Sequence, residues 1–152
     1  MLLYPAILPE ETMLEKVHHI GVVVKDLDEA LRAYRDVLGL CLESSEVLPD
    51  RGVRMAFLPV GETHLELLES ISESSAIGKF LRVHGEGIHH ICFAVDSIEA
   101  TLAGLKQLGV KLVDEQPRTG AGGARVAFIH PSSMHGVLIE LREEGKCLSN
   151  GV

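Results

Sequence analysis

VHHIGVVV, residues 17–24, and IHHICFAV, residues 88–95, open two segments of the chain in nearly the same way. His89 follows His18 by 71 residues. The same spacing relates Val24 to Val95, Leu31 to Leu102, Gly52 to Gly123, and Arg54-Met55-Ala56-Phe57 to Arg125-Val126-Ala127-Phe128. One recurring dipeptide is within the reach of chance, but a single spacing held across two strands and the helix between them marks a duplicated module. Each half also closes on a carboxylate inside an apolar strand, Glu66 in HLELLE and Glu140 in VLIELR, at a spacing of 74. Two histidines and two glutamates in equivalent places read as a four-ligand metal site shared between the halves.

The short β-branched run 17–24 ends at Lys25-Asp26 and reads as a strand. Asp26 and Glu29 have capping-box spacing, so a helix should follow, with Leu27, Ala30, Leu31, Tyr34 and Leu38 as its buried stripe. Gly39 suits the left-handed residue that ends a helix. The second half repeats the plan with Ser97 as cap, Ile98, Thr101, Leu102, Leu105 and Leu108 as stripe, and Gly109 as stop. Three more strands fit each half, around 40–47, 53–59 and 63–69, then around 110–115, 124–130 and 136–142, separated by Gly and Pro turns. The chain thus divides into an N-terminal extension 1–13, a βαβββ module 14–69, a helical connector 70–87 built on Ile77, Phe80 and Leu81, a second βαβββ module 88–143, and a polar tail 144–152. Met13 equally fits a natural start. The predicted fold is α+β: two tandem βαβββ modules forming one curved, incompletely closed mixed β half-barrel with helices outside.

At 152 residues the chain can bury about two-thirds of its unfolded surface without disulfides. A net charge of −8 argues against a nucleic-acid surface, and no apolar run approaches the roughly 18 residues of a membrane span. Residues 1–13 carry acids but no Lys or Arg, unlike a secretory or transit signal. Cys41, Cys92 and Cys147 are an odd count without CxxC spacing, which fits free thiols and a cytoplasmic setting.

Successive strand side chains face opposite ways, so one histidine of each pair is expected in the cleft, and parity alone does not choose which. Paired histidines at a strand start also fit a polar edge, a reading the repeat weighs against. A carboxylate set among apolar strand neighbours must be paired, hydrogen-bonded, protonated or on a metal. Two imidazoles and two carboxylates without thiolate suit Co, Mn, Ni, Fe or Zn. Four protein ligands leave one or two positions open on a five- or six-coordinate ion, as a Lewis-acid role requires. His130 shares the parity of Val126 and Phe128 and fits either a cleft wall or a structural turn.

The stretch GIHHICFAVDSIEATLAGLKQLGVKLVDEQPRTGAGGARVAFIHPSSMHGVLIEL, with VHHIGVVVKDLDEAL and VRMAFLPVGETHLELLE, resembles the methylmalonyl-CoA epimerases of the vicinal oxygen chelate superfamily. The resemblance covers residues 14 to 143, and PRTGAGGARVAFIHP followed by GVLIEL is its most specific part. It implies that His19, Glu66, His90 and Glu140 hold a divalent ion (Co, Mn, Ni or Zn). The activity it implies is the interconversion of (2S)- and (2R)-methylmalonyl-CoA by proton transfer at C2 through a metal-stabilised enolate, in a homodimer. Glu66 stands where some relatives have glutamine, and its extra charge should weaken the ion's Lewis acidity.

By the same resemblance Glu140 is one catalytic acid/base, but the position of the second holds Met55, which exchanges no proton. Glu46 is the expected substitute, with Glu43, His64, His130 or a water as others. An acyl-CoA substrate is anionic and the protein is acidic, so local cations must attract it. Arg118 and Arg125 are the candidates, with Lys79, Arg82 and the backbone of GAGGAR beside them and His130 lining the site. A glyoxalase I-type isomerase, an extradiol-type dioxygenase and a metal-free binding protein are the alternatives on this scaffold.

Overall fold

A computed structural model describes residues 13–144, so the expected extension and tail lie outside the described residues apart from Met13 and Glu144. The first half runs β1 (Lys16–Val24), α1 (Leu27–Leu31), β2 (Ser44–Leu48), β3 (Val53–Val60) and β4 (Thr63–Ser70). A connecting helix α2 (Ala76–His84) leads to β5 (Gly87–Val95), α3 (Ile98–Gln107), β6 (Arg118–Thr119), β7 (Arg125–Ile129) and β8 (Ile139–Glu143). All eight strands form one mixed sheet in the order β2-β3-β4-β1-β5-β8-β7-β6. The order is palindromic because the two modules join antiparallel through β1 and β5, each of which runs parallel to its module's closing strand, β4 or β8. Ile20 faces Ile91 in the central pair, and these residues are equivalent by the 71-residue spacing, so the local two-fold axis passes between them. The result is the expected curved, open α+β half-barrel.

Strand alternation sorts the apolar residues into two layers. Ala56, Leu58 and Leu67 face outward beneath Leu27 and Leu31 of α1, and Ala127, Ile139 and Leu141 do the same beneath Ile98, Leu102 and Leu105 of α3. Val53, Met55, Phe57 and Leu68 face inward, where Ile77 of α2 packs on them at the rim of the concave side. Each fully buried Leu or Ile in these layers contributes about 1.5–3 kcal/mol. The closing strands also tether the outer helices: the Glu69 carboxylate accepts Leu27 N–H and the Glu143 carboxylate accepts Ile98 N–H, satisfying amides at the two helix starts.

Four local expectations change, the simplest being that Leu108, expected on the buried stripe of the second helix, is half exposed at its end. Asp26 caps the first helix by accepting Glu29 N–H at 3.0 Å, but the Glu29 carboxylate turns to Arg32 rather than back to the cap. Beyond Leu31 the helix widens into a π turn over Arg32–Val37, and the added residue rotates Leu38 off the buried stripe, leaving it 66% exposed. The strand expected at 110–115 reduces to a single bridge between Leu112 and Ile129, and the sheet edge is instead Arg118–Thr119. The Asp114 side chain accepts Phe128 N–H at 2.9 Å and Phe128 O receives Val113 N–H, which diverts a regular ladder before Pro117. Among the described residues no helix is long and apolar enough to cross a membrane; Cys41 is exposed and Cys92 buried, both as free thiols, and Cys147 lies outside the described residues.

Candidate metal centre

The central strand pair contains two symmetric irregularities, and they decide how the histidines point. Val17 faces Phe93 while His19 faces Cys92, so His18 is an extra residue on β1; Gly21 faces His90 while Val22 faces Ile88, so His89 is an extra residue on β5. A bulge of this kind re-aims side chains by breaking the period of two. In the second pair both His89 and His90 line the cavity, which corrects the expectation that only one could, whereas in the first His19 lines it and His18 stacks on His64. His18 Nδ1 lies 2.7 Å from His19 Nδ1, and His89 Nδ1 lies 2.9 Å from His90 Nδ1.

The second histidine of each pair meets the closing-strand glutamates. His19 Nε2 stands 3.0 Å from His90 Nε2, 3.1 Å from Glu66 Oε2 and 3.0 Å from Glu140 Oε2. His90 Nε2 stands 3.2 Å from Glu66 Oε2 and 2.9 Å from Glu140 Oε2. All four residues are buried. Phe57 and Phe128, equivalent in the repeat, each present a ring edge-to-face to one of these two histidines, with centroids at 5.8 Å from His19 and 5.7 Å from His90. Gly21 supplies the space for His90: a Cβ there would lie 2.2 Å from its Cε1. The neighbouring Cys92 thiol is pushed up in pKa by burial and then by the charges of Glu140 and Glu66, so it stays protonated.

Two buried carboxylates demand positive charge. Burial opposes ionisation of Glu66 and Glu140, but hydrogen bonds from His19 and His90 outweigh it; Glu66 is held down to about 2 and Glu140 lower still. Burial likewise opposes charge on the rings, and the Glu140 and Glu66 carboxylates overcome it, raising His19 above its ordinary value and His90 to about 9. Protons on two imidazoles thus balance the cluster, and one divalent cation would balance it equally. The spacing also fits. At ligand distances of about 2.1 Å, adjacent donors stand about 3.0 Å apart on an octahedral ion and about 3.4 Å apart on a tetrahedral one. The five separations of 2.9–3.2 Å are those of the hydrogen bonds that join the four groups, and they bring all four donors within reach of one ion.

The cluster forms one wall of an open cavity of about 430 Å³, to which Met55, Leu68, Ile77, His89, Phe128 and Leu138 add side chains. Arg51, Arg118 and Arg142 also line it. Arg118 contacts Asp114 at 3.4 Å and lies over the Phe128 ring. Arg51, on the turn between β2 and β3, donates to Thr119 O of the other half, and Arg142 on β8 donates to Ala121 O at 3.0 Å; among the described residues neither forms an ion pair with a carboxylate. Neither was singled out from the sequence.

Other sequence candidates stand apart from the cavity. Arg125 points to the outer side, engaged by Glu99 and Glu143. His130 caps the turn Pro131–Ser133 by accepting Ser132 N–H at 3.0 Å. Arg82 donates to Glu73 O. Glu46 faces Met55 across the β2–β3 pair and so shares its side of the sheet, with its carboxylate accepting Gly122 N–H at 3.0 Å. His64 is engaged by Glu43 at 2.8 Å.

Residues 18–128 match the family described as the Glyoxalase/Bleomycin resistance protein/Dioxygenase superfamily. Mitochondrial methylmalonyl-CoA epimerase of Bos taurus is 37% identical over 131 residues, spanning 86% of this chain and 75% of its own. An ethylmalonyl-CoA/methylmalonyl-CoA epimerase of Cereibacter sphaeroides is 36% identical over 133 residues, spanning 86% of this chain and 99% of its own. A solved structure of methylmalonyl-CoA epimerase in complex with methylmalonyl-CoA and NH4+ superposes with a TM-score of 0.83 at 38% identity, covering 88% of this chain and 96% of that one.

Proposed function

The chain belongs to the Glyoxalase/Bleomycin resistance protein/Dioxygenase superfamily, and within it we propose that it is a methylmalonyl-CoA epimerase, interconverting the (2S) and (2R) forms by proton transfer at C2. The observation that carries this reading is the convergence of His19, Glu66, His90 and Glu140 in the wall of an open cavity, in a chain that matches epimerases over most of its length. These four residues would hold a divalent ion, and their nitrogen and oxygen donors suit Co, Mn, Ni or Zn. The chemistry such an ion supplies when bound is Lewis acidity toward the substrate oxygens, which lowers the energy of negative charge on the thioester oxygen as C2 loses its proton.

The chain's own groups supply the rest. Glu140 turns Oε2 toward the histidines, and its other oxygen, Oε1, takes or returns the C2 proton on one face. Met55 exchanges no proton, so the other face is left to a carboxylate outside the cluster: Asp50 lines the cavity, whereas Glu46, across the strand pair from Met55, would act only through a water. Arg51, Arg142 and Arg118 draw the anionic acyl-CoA into an otherwise acidic protein, with Leu68, Leu138 and Phe128 excluding bulk water from the reacting carbon. A homodimer in the cytoplasm completes the reading.

The decisive experiment incubates methylmalonyl-CoA with the protein and Co²⁺ in D₂O. Deuterium should enter C2 as the optical activity is lost, and the rate should follow the added ion. Retention of both the C2 proton and the configuration at every ion tried would refute the activity.

A further inference from the structure

The two histidine pairs do more than supply one ligand each. His18 and His89 are the residues extruded by the two bulges, and in each case the bulge sets the first ring's Nδ1 against the second ring's Nδ1, at 2.7 Å for His18 and His19 and 2.9 Å for His89 and His90. A regular strand would send the two rings to opposite faces. Two ring nitrogens so close share one proton, and its location is fixed by the far side of the second ring. There, Nε2 of His19 and of His90 points into the four-residue cluster. A ring that offers its Nε2 lone pair to a cation carries its proton on Nδ1. His19 and His90 are therefore the donors, and His18 and His89 accept at Nδ1. His18 consequently carries hydrogen on Nε2, and that atom faces Glu144 Oε1 at 3.3 Å.

We propose that His18 and His89 are positioning residues, each locking its neighbour in the Nδ1–H tautomer with Nε2 aimed at the ion, so that each His-His pair is one ligand together with its own orienting group. The inference rests on the metal reading given above for what the aimed nitrogen meets. The two locks are unequal. Glu144 backs His18, which is also stacked on the His64 ring at 5.5 Å, whereas His89 packs against Phe80 at 4.9 Å and lines the cavity. His19 is thus backed by a histidine–glutamate chain that ends on Glu144, beyond the second module, and His90 by a lock that the acyl-CoA cavity reaches.

The test has two arms. In the ¹⁵N-labelled protein without added metal, His19 and His90 should show protonated Nδ1, each with a two-bond nitrogen–nitrogen coupling to the unprotonated Nδ1 of His18 or His89. In the second arm, calorimetric titration with Co²⁺ compares wild type with His18→Leu and His89→Leu, which remove the acceptor, and with His18→Asn and His89→Asn, which place an amide oxygen near the lost Nδ1. The leucine variants should bind Co²⁺ about 10–100-fold more weakly, as expected when the group that orients a ligand histidine is lost, and the asparagine variants should recover most of that affinity. A side chain that only filled space would show no such rescue. Couplings absent while wild type binds Co²⁺ tightly, or leucine variants that bind like wild type, would overturn the proposal. Couplings present in a wild type that ignores Co²⁺ would support the tautomer assignment and overturn the metal reading instead.

Discussion

Gly21→Ala adds a single methyl group, and the structure gives its consequence in distances. The new Cβ would lie 2.2 Å from Cε1, 2.4 Å from Nδ1 and 2.8 Å from Nε2 of His90, so it meets the body of the ring rather than its edge. Ordinary contact begins at 3.4 Å, so the ring must withdraw by about 1.2 Å at Cε1. β1 is hydrogen-bonded to β4 on one side and β5 on the other, which leaves the His90 side chain to absorb the shift. Metal–ligand distances tolerate about 0.2 Å, some six times less than this displacement. Co²⁺ affinity should fall by about 100-fold or more in a calorimetric titration. Forcing a methyl into a packed site also costs about 1–3 kcal/mol, equivalent to a fall in Tm of roughly 2–12 °C for a chain of this size. The control is Gly104→Ala in α3, where the nearest atom to a new Cβ is 3.7 Å away; it should keep full affinity and, as a glycine removed from a helix, lose no stability. If Gly21→Ala binds Co²⁺ within threefold of wild type, the placement of His90 as a ligand above Gly21 is wrong.

Stability without metal should depend on pH in a defined window. The carboxylates raise His90 to about 9, above its unfolded value of 6.5, so its contribution is complete below pH 6.5 and disappears as pH rises through 9. Counted once for the cluster, that is about 3 kcal/mol; Tm of metal-free protein should fall by several degrees between pH 6.5 and 9.5, and Co²⁺ should suppress the fall by taking the protons' place. A flat metal-free profile over that range would contradict the electrostatics of the site. Glu140→Gln should keep bound metal yet lose 10²–10⁴-fold in kcat, and full turnover would remove Glu140 from the proton transfer. Arg51→Met should raise KM for methylmalonyl-CoA about tenfold or more with kcat little changed, whereas Arg125→Met, whose partners Glu99 and Glu143 lie outside the cavity, should change neither; the reverse pattern would place the acyl-CoA elsewhere.

The elements that were legible are those whose signals are local. Asp26 and Ser97 cap the helices that their spacing announces, and Gly39 and Gly109 take the left-handed conformation at the stops. What stayed hidden depends on pairing between distant strands. A bulge is an extra residue relative to a partner, so nothing in VHHIGVVV alone reveals that His18 is extruded. Arg51 was missed because it lies on a turn, where parity has no meaning, and its place beside the cavity depends on a turn that bonds to the Thr119 carbonyl of the other half. Two signals were nevertheless present. Gly21 interrupts a β-branched strand, a mark of close approach by another group. Arg125 shares its parity with Ala127 and Ile129 rather than with Phe128, which already turns it to the outer side.

The duplication divides the site into two layers with different symmetry. Around the four-residue cluster the halves agree closely: His19 with His90, Glu66 with Glu140, and Phe57 with Phe128 at nearly equal ring distances. One step outward they diverge. Arg51 corresponds to Gly122 and Met55 to Val126 at the 71-residue spacing, while Leu68 corresponds to Arg142 and His64 to Leu138 at 74. A cation has no handedness and is served well by equivalent donors. An acyl-CoA has a charged end, an acyl end and a reacting carbon with two distinct faces, and a two-fold symmetric wall would bind it in two opposed orientations with equal affinity. Under the proposed activity, Arg51 and Arg142 remove that degeneracy, because their counterparts in the other half, Gly122 and Leu68, carry no charge. Under the proposed activity, holding an ion asks for equivalent donors and orienting one substrate asks for an unequal wall, and the repeat is distributed in that way, kept at the four-residue cluster and lost around it.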